Sequence, residues 1–345
     1  MTQSSPVKVS IVIKALNEEH NIARAVESAL KAVEGFDGEV ILADSVSSDR
    51  TVEIARAYPI TIVQLQNAAE RRCGIGPQLG YQYAKGDYVY ILDGDMELYP
   101  DFIAQAVQAM AQDPKLGGVA GIVEEQSQGS FQFRGRQRRN EEGKAGAVRW
   151  LDMGGLYRRA ALEQIGYFSN RNLHAFEEQE LGLRLTAAGW TLRRLGISGV
   201  KHYGHADDTF RLLGRRWRSR YLDGPGEMLR ASLGTPYFMT VAIKQKHLLF
   251  SLVLWLWLLI GLSSVNATWL LSWGVAVAAV TGLRAARGLG MRDAVLGMVV
   301  WMVSAVALVR GFFTPQIDPR KPIASVVVST SASMESQSPV SRVVL

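Results

Sequence analysis

The sequence has a single cysteine, Cys73, among its 345 residues. This excludes an intramolecular disulfide bond and suits a reducing compartment. The first residues contain neither a basic cluster nor an apolar run, so no cleavable secretion signal is predicted there. The net charge is +6, but the sequence has no module of interleaved aromatic and basic residues of the kind that binds RNA. We therefore expect anionic lipids or phosphate-bearing substrates, and no nucleic acid, as partners.

Acidic residues are almost missing from the region 247–313, which is largely apolar. It contains three apolar runs, His247–Val265, Ala267–Leu283 and Ala294–Phe313. Each run is close to the roughly 17–25 residues that a helix needs to span a bilayer. Three such runs exceed what one small domain could bury, so they predict membrane association. Ser264–Asn266 allows only a tight turn, which predicts that the first two runs form a hairpin.

The residues around the apolar runs allow predictions of the membrane topology and of the domain boundaries. The loop Arg284–Arg292 contains three arginines, which predicts that it lies on the cytoplasmic side. The third run then either spans the bilayer and exports the tail, or lies in the interface near Arg310. The tail after Pro322 is rich in serine and valine, and this composition predicts that it is disordered. The predicted regions are a catalytic domain (1–220), juxtamembrane helices (221–246), membrane helices (247–315) and a disordered tail (316–345).

The first half of the chain alternates short β-branched runs with stretches of helical periodicity. The predicted strands are Val7–Ile13, Glu39–Leu42, Ile60–Leu65 and Tyr88–Leu92, and the predicted helices between them are Glu18–Val33, Ser48–Ala57 and Gly76–Ala84. This alternation predicts an α/β fold with a parallel sheet and right-handed crossovers. Ligands of such sheets bind at the carboxyl ends of the strands. Polar residues follow three of these strands: Asn17-Glu18-Glu19, Asp44 and Asp93-Gly94-Asp95.

The Asp93-Gly94-Asp95 motif places two carboxylates one residue apart after an apolar strand. Mg²⁺ and Mn²⁺ prefer oxygen ligands and typically take one or two carboxylates together with substrate phosphate. Gly94 would leave room for the close approach of a phosphate. Because Asp-Gly is also a common turn pair, the motif alone is equally consistent with a plain β-turn.

Five segments, in this order along the chain, resemble the family 2 glycosyltransferases, which have a nucleotide-binding α/β domain called GT-A. These segments are Val9–Glu19, Glu39–Thr51, Gly86–Asp95, Met153–Phe168 and His174–Trp190. The resemblance covers about residues 7–220. It implies an enzyme that binds a nucleotide sugar through a divalent metal ion, Mg²⁺ or Mn²⁺, and transfers the sugar with inversion at the anomeric carbon.

The resemblance also implies residue roles. Asp44 would bind the nucleobase, Glu18 would lie near the base or ribose, and Asp95 would ligate the metal. Asp93 would contact the ribose or act as a further metal ligand. Other residues on the donor side would be Ala15, Asn17 and Gly94, and Gly154 and Gly155 would lie on the acceptor side. Arg72, in the loop before the fourth strand, is a further candidate to face the diphosphate, although a position on a helix surface is equally consistent with the sequence.

The catalytic base is expected in the pair Glu177-Glu178, which stands where the family has Glu-Asp. Glu178 matches the residue that deprotonates the acceptor hydroxyl, although the longer pair leaves open which glutamate does so. The alternative is a solvated acidic helix start that the helix dipole favours.

Four further residues match the family less closely. Arg216 and Trp217 match the end of a Gln-x-x-Arg-Trp motif, and would bind the leaving diphosphate and the acceptor; Leu213 replaces the glutamine. The same arginine-rich stretch equally fits a cluster that binds lipid headgroups. His202 is a candidate metal ligand, with His205 a weaker one, although a lone histidine is more often structural.

The expected function is transfer of one sugar from a nucleotide sugar, uridine-linked, to a lipid-linked acceptor in cell-envelope or exopolysaccharide synthesis. The catalytic domain would lie in the cytoplasm, at the inner membrane. One alternative is transfer to polyprenyl phosphate itself, as in enzymes like dolichyl-phosphate-mannose synthase, where the ionised acceptor needs no base. Another is an inactive nucleotide-sugar-binding scaffold of an export complex.

Overall fold

The computed structural model describes residues 7–126, 145–152, 154–204 and 209–330. They belong to two compact units. The first unit comprises Met1–Leu173, Glu177–Thr209 and Ile317–Leu345, and the second comprises His174–Phe176 and Phe210–Gln316. The division between them lies before the boundary predicted at residue 220, and the chain returns to the first unit after the apolar region.

The first unit is built on one mixed sheet. Its described strands are β1 (Lys8–Ala15), β2 (Asp37–Asp44), β3 (Thr61–Leu65), β4 (Tyr88–Asp93), β5 (Met96–Leu98), β6 (Leu116–Glu125), β7 (Gly146–Val148), β8 (Gly155–Arg158), β9 (Thr191–His202) and β10 (Ser325–Ser329). The order across the sheet is β10-β3-β2-β1-β4-β8-β6-β9-β5, and β7 pairs with β9.

The predicted parallel arrangement is confirmed for the first four strands. β1 lies between β2 and β4, and β2 pairs with β3, all in parallel register. The sheet is not wholly parallel, however, because β8 joins β4 in antiparallel register and β10 joins β3 in the same way. The carboxyl ends of β1, β2 and β4 therefore meet at one edge of the sheet, as the sequence predicted.

Helices cover both faces of this sheet. They are α1 (Ile22–Ala32), α2 (Thr51–Ala55), α3 (Ile75–Tyr81), α4 (Phe102–Gln112), α5 (Arg159–Gln164) and α6 (Glu177–Ala187). Alternate residues of β1 serve the two faces: Ile11 and Ile13 pack with α1 and α4, and Val12 packs with α3. All three side chains are fully buried, and each such burial stabilises the fold by roughly 1.5–3 kcal/mol.

The tail differs from the prediction. Residues Ser325–Ser329 form β10, so the disorder predicted for 316–345 is wrong for this segment. Side chains far away in sequence hold the chain that leads to it. Arg171 donates to the carbonyls of Lys321 and Pro322 at 3.0 and 3.1 Å, and Gln82 accepts from the backbone N–H of Ile323 at 2.6 Å.

The second unit is helical. Its helices are α7 (Thr209–Arg218), α8 (Gly224–Ala231), α9 (Phe238–Lys244), α10 (Lys246–Ser263), α11 (Ala267–Arg284) and α12 (Met291–Phe312). The last three coincide with the predicted apolar runs and are long and apolar enough to cross a membrane. α10 and α11 form the predicted hairpin, in which Trp273 Nε1 donates to the carbonyl of Leu254 at 3.0 Å.

Candidate active site

The carboxyl edge of the sheet gathers residues from strands that are distant in sequence. In register, Lys14 of β1 lies beside Asp93 of β4, and Ala15 lies beside Asp44 of β2. Gly94 N–H donates to the carbonyl of Lys14 at 2.9 Å, which fixes the start of the Asp-Gly-Asp segment against β1. The predicted donor-side residues Ala15, Asp44 and Asp93 are thus neighbours.

Lys14 is the centre of a charged cluster that sequence reasoning missed. Its Nζ lies 3.0 Å from Glu177 Oε1, 3.2 Å from Asp93 Oδ1 and 3.5 Å from Glu178 Oε1. Its side chain is only 17% exposed. Burial disfavours the charged amine, but the neighbouring Asp93 and Glu177 outweigh burial and raise the pKa of Lys14. One cation is therefore shared by three carboxylates.

The two glutamates at the start of α6 differ in surroundings. The side chain of Glu177 is 7% exposed and bound to Lys14, whereas that of Glu178 is 28% exposed. Burial and the adjacent Glu177 raise the pKa of Glu178 to about 8. A carboxylate with a raised pKa that still reaches solvent has the properties of a general base near neutral pH. Glu178 is the better placed of the pair.

A narrow cleft opens beside these glutamates. Its lining includes Gly154, Gly155, Tyr157, Phe168, Glu177 and Glu178. Gly154 has a φ of +80°, and a Cβ there would come 2.8 Å from the hydroxyl of Tyr90. Glycine is thus needed at this wall of the cleft. The structure brings the predicted acceptor-side glycines and the candidate base together.

Asp95 lies in a second cluster. Because β5 pairs with β9, Met96 lies opposite His202, and this pairing brings the histidine to Asp95. His202 Nε2 is 3.2 Å from Asp95 Oδ2, and its Nδ1 is 2.7 Å from Glu125 Oε2. Burial lowers the pKa of His202, but the hydrogen bonds to Asp95 and Glu125 outweigh it and raise this pKa to about 9.

The donor set around Asp95 fits a divalent cation. A carboxylate oxygen and an imidazole nitrogen stand close enough to share one ion, and Glu125 holds the other ring nitrogen, as carboxylates commonly do behind a metal-bound histidine. Among the described residues, no group of three or more His, Cys, Asp or Glu side chains could hold a metal. Substrate phosphate or water would have to supply the remaining ligands.

Asp93 and Gly94 do not have the positions expected where two carboxylates share one metal ion and the glycine leaves room for a phosphate. Asp93 is directed to Lys14. A Cβ on Gly94 would come 2.9 Å from Cγ of Glu18 and 3.3 Å from Cβ of Ala15, so packing against β1 and its following loop requires this glycine. Burial, together with the charges of Asp95 and Asp93, raises the pKa of Glu18 to about 7. Glu18 is thus a neighbour of the Asp-Gly-Asp segment.

Asp44 organises the loop that follows β2. Its side chain is fully buried and accepts hydrogen bonds from Ser47 N–H at 3.0 Å, Ser47 Oγ at 2.5 Å and Gln64 Nε2 at 2.8 Å. Asn17 Oδ1 accepts from Ser48 N–H at 2.8 Å, which ties this loop to the loop after β1. In this conformation Asp44 shapes the loop and does not itself reach solvent.

Backbone strain is found beside these elements. Asn17, Val46 and Phe176 have φ values of +58°, +64° and +71°. Valine and phenylalanine rarely adopt this region, and such strain is typical of functional sites. These residues lie in the loops after β1 and β2 and directly before Glu177.

The predicted residues Arg216 and Trp217 lie in the second unit, where Arg216 stacks on Tyr221 and Arg310 stacks on Trp217. Arg72 is half-buried in the loop before α3, and the neighbouring Arg71 donates to the carbonyls of Ser45 and Val46. His205 and Met153 fall outside the described residues. The roles predicted for Arg72, Arg216 and Trp217 stay predictions.

The mixed sheet, with Asp44 and Asp93 at the ends of β2 and β4, places the first unit in the GT-A class of α/β domains. Residues 10–168 match the sequence profile described as Glycosyl transferase family 2. This match agrees with the resemblance found in the sequence.

Relatives agree with this assignment. The chain is 30% identical over 220 residues to the succinoglycan biosynthesis protein ExoU of Rhizobium meliloti, which covers 55% of this chain and 60% of that protein. It is 26% identical over 108 residues to a dolichol-phosphate mannosyltransferase of Pyrococcus furiosus, covering 30% of each. The chain thus spans about a third to three fifths of these curated relatives.

A solved structure shares the fold. The mannosyltransferase PcManGT from Pyrobaculum calidifontis, in complex with GDP-Man and Mn²⁺, superposes with a TM-score of 0.53 at 18% identity. The match covers 90% of this chain and 86% of that protein. At this identity the similarity establishes the GT-A fold predicted from the sequence.

Proposed function

We propose that this chain is an inverting glycosyltransferase that moves one sugar from a nucleoside-diphosphate sugar to a lipid-linked acceptor at a membrane. The observation that carries the proposal is the position of Glu178. It reaches the cleft beside Gly154 and Gly155, while its neighbours Glu177 and Asp93 are held by Lys14. Glu178, the proposed base on the acceptor side, and Asp93, the proposed donor-binding residue, thus both lie beside the same cation, Lys14.

In the proposed reaction, Glu178 accepts the proton of the acceptor hydroxyl as its oxygen attacks the anomeric carbon of the sugar. The new bond forms on the face opposite the leaving group, and the bond from the anomeric carbon to the diphosphate oxygen breaks. Configuration is therefore inverted in a single displacement. Glu177, tied to Lys14 at 3.0 Å, positions the start of α6 and thereby the base.

Donor binding is assigned to the carboxyl edge of the sheet. The loops after β1 and β2, held together by Asn17 and Asp44, would receive the nucleoside, with Glu18 and Asp93 toward the ribose. Asp95 and His202 would hold Mg²⁺ or Mn²⁺. A bound cation supplies charge stabilisation for the departing diphosphate. The similarity to PcManGT, which was solved with GDP-Man and Mn²⁺, supports this assignment.

The acceptor is proposed to be membrane-bound, because three helices of the second unit are long and apolar enough to cross a bilayer. The name of the succinoglycan relative supports a place in polysaccharide synthesis. Three arginines, Arg284, Arg287 and Arg292, lie in or beside the turn between α11 and α12, and they support the cytoplasmic membrane, with the catalytic domain in the cytoplasm.

A second candidate is transfer to polyprenyl phosphate, which the name of the dolichol-phosphate relative favours. An ionised phosphate acceptor needs no general base, so the two candidates differ in their need for Glu178. The glutamine variant of Glu178 distinguishes them: it would lose transfer to a hydroxyl acceptor but keep transfer to polyprenyl phosphate.

The proposal is tested first by donor binding. A thermal-shift panel of nucleotide sugars with Mn²⁺ should show one donor that raises the melting temperature, because a ligand at 100 times its dissociation constant stabilises the folded state by about 2.7 kcal/mol. Hydrolysis and transfer of that donor then test catalysis. Folded protein that binds no donor and hydrolyses none would overturn the enzymatic proposal.

A further inference from the structure

The segment after α12 belongs to the catalytic sheet, and this constrains how the chain meets a membrane. β10 pairs with β3 in antiparallel register, with Val326 opposite Gln64 and Ser325 opposite Leu65. Next to this ladder, Gln66 N–H donates to the carbonyl of Ala324 at 3.0 Å. β10 is therefore an integral edge strand of the sheet.

Side-chain contacts fix the approach to β10 just as firmly. Ile317 N–H donates to Asn172 Oδ1 at 2.8 Å, and Asn172 Nδ2 donates back to the carbonyl of Ile317 at 2.7 Å. Ile323 is 3% exposed, and Gln82 bonds both its N–H and its carbonyl. Separating this segment from the first unit would break these hydrogen bonds, each of which contributes about 0.5–1.5 kcal/mol to stability.

The chain thus leaves the first unit at Thr209 and re-enters it at Ile317. A folded sheet cannot have strands on opposite sides of a bilayer, so both points must lie on the same side. We infer that the chain crosses the bilayer an even number of times, zero or two, between Phe210 and Gln316. This rests on the proposed membrane association and not on catalytic activity.

The number of candidate spans in this stretch is odd, so an even number of crossings cannot include all of them. The three helices contain 18, 22 and 22 residues, counting α11 through to Gly288. At 1.5 Å per residue they reach about 27–33 Å, close to the bilayer core of about 30 Å, so length excludes none of them. At least one of the three therefore lies in or against the bilayer without crossing it, and export of the tail is excluded.

The experiment compares the sidedness of single cysteines in the full chain. Cys73 is the only native cysteine, so a Cys73→Ser background can carry one reporter at a time. Glu34→Cys, in an exposed loop after α1, reports the side of the catalytic unit, and Ala324→Cys, also exposed, reports the segment after α12. Ser264→Cys and Arg287→Cys report the two turns between the apolar helices.

Sealed membrane vesicles of both orientations are labelled with a membrane-impermeant maleimide, and a permeant maleimide gives total reactivity. We expect Glu34→Cys and Ala324→Cys to be labelled from the same side, whichever side each turn occupies. The two turn reporters then identify the helices that cross. Labelling of Ala324→Cys from the side opposite to Glu34→Cys would overturn the inference.

A second measurement guards against a variant that disturbs the tail. Gln64 and Val326 face each other across the β3–β10 pair, and directly opposed residues of a ladder lie within reach of a disulfide. The double variant Gln64→Cys/Val326→Cys should form a disulfide on mild oxidation in membranes, while Gln64→Cys/Ala324→Cys, out of register, should cross-link far less. Equal, low cross-linking of both would contradict the inference.

Membrane association itself is tested by fractionation, which is a measurement independent of the labelling. Recovery of the native chain in the soluble fraction would overturn it.

Discussion

Two clusters of buried charge, one in each unit, are built differently. In the cluster of the second unit each buried carboxylate has at least one basic partner of its own: the fully buried Asp223 accepts from Arg310 and Arg220 at 2.5 and 2.8 Å, and Glu227 lies 2.7 Å from His174. In the first unit Lys14 faces Asp93, Glu177 and Glu178 together. Matched pairs hold a fold together. A surplus of buried carboxylate costs stability, and it is maintained where a proton or a ligand is to be received.

The largest expected effect concerns the surplus carboxylate itself. Glu178→Gln removes the proposed base without changing its size, and we expect the transfer rate to a hydroxyl acceptor to fall about 10³-fold, within the range general-base catalysis supplies. The donor affinity should hardly change, because Glu178 lies on the acceptor side. Initial rates and donor titration measure both.

Glu177→Gln is the matched control for that variant. It removes a carboxylate one residue away that is bound to Lys14 and nearly buried. We expect a smaller loss of rate, because the base remains. A loss equal to or greater than that of Glu178→Gln would assign the base to Glu177.

Lys14→Met tests the shared cation, and its expected effect is on stability. It leaves the carboxylates of Asp93 and Glu177 without their partner, and breaking a buried ion pair from one side typically costs 3–5 kcal/mol. Since Lys14 is 17% exposed, we expect about 3 kcal/mol at neutral pH, measured by urea unfolding. The additional variant Glu177→Gln should recover part of this loss if the two side chains are coupled.

Arg310→Met is the corresponding change in the matched cluster. Asp223 would keep its bond to Arg220 at 2.8 Å, so the expected loss is smaller, about 1–2 kcal/mol. The catalytic rate should be unaffected where the protein is folded. A greater loss than that of Lys14→Met would break the distinction between the two units.

These clusters show what the sequence could and could not predict. The first four strands were predictable because short β-branched runs alternate with helical periodicity, and Asp93 and Asp95 because they follow one of these strands. Lys14 was missed, because a lysine near the end of an apolar run is usually predicted to be exposed to solvent at the end of a strand. Only the fold brings it to Glu177, which is 163 residues away. Glu125 was missed for the same reason: nothing local links it to His202.

The tail was mispredicted for a related reason. Its composition is that of a flexible segment, and its order depends on long-range bonds from Gln82, Arg171 and Asn172, which no local pattern reveals. The antiparallel edge strands were likewise unpredicted, because short strands such as Met96–Leu98 are fixed by their partners and not by their own sequence.

A smaller effect is expected behind the candidate metal site. Glu125→Gln keeps the size of the side chain that holds His202 Nδ1 but removes its charge. Loss of such a supporting carboxylate typically lowers metal affinity 10–100-fold. Titration of Mn²⁺ by isothermal calorimetry, with donor present, measures the change. Glu124→Gln is the control, since Glu124 instead accepts from Tyr99 and Ser198; equal effects of the two variants would remove Glu125 from the metal site.

A final effect is a pH dependence that follows from the surplus of carboxylates. The pKa of Glu178 is raised from 4.5 to about 8 in the folded protein. A carboxyl whose pKa is raised on folding contributes stability that is fully present below pH 4.5 and is lost as the pH rises through 8. We therefore expect the ligand-free protein to lose more than about 1.4 kcal/mol, the equivalent of one pKa unit, between pH 5 and pH 8 through this group. Glu178→Gln should show a correspondingly flatter profile, so the difference between the two unfolding curves isolates the contribution.

Activity should change in the opposite direction, because the base must be ionised: the transfer rate of the native enzyme should rise with pH up to about 8 while its stability falls. If stability and rate rose together over this range, the surroundings of Glu178 would not hold it protonated. The cluster around Lys14 would then lower the stability of the fold no more than the cluster around Asp223 does.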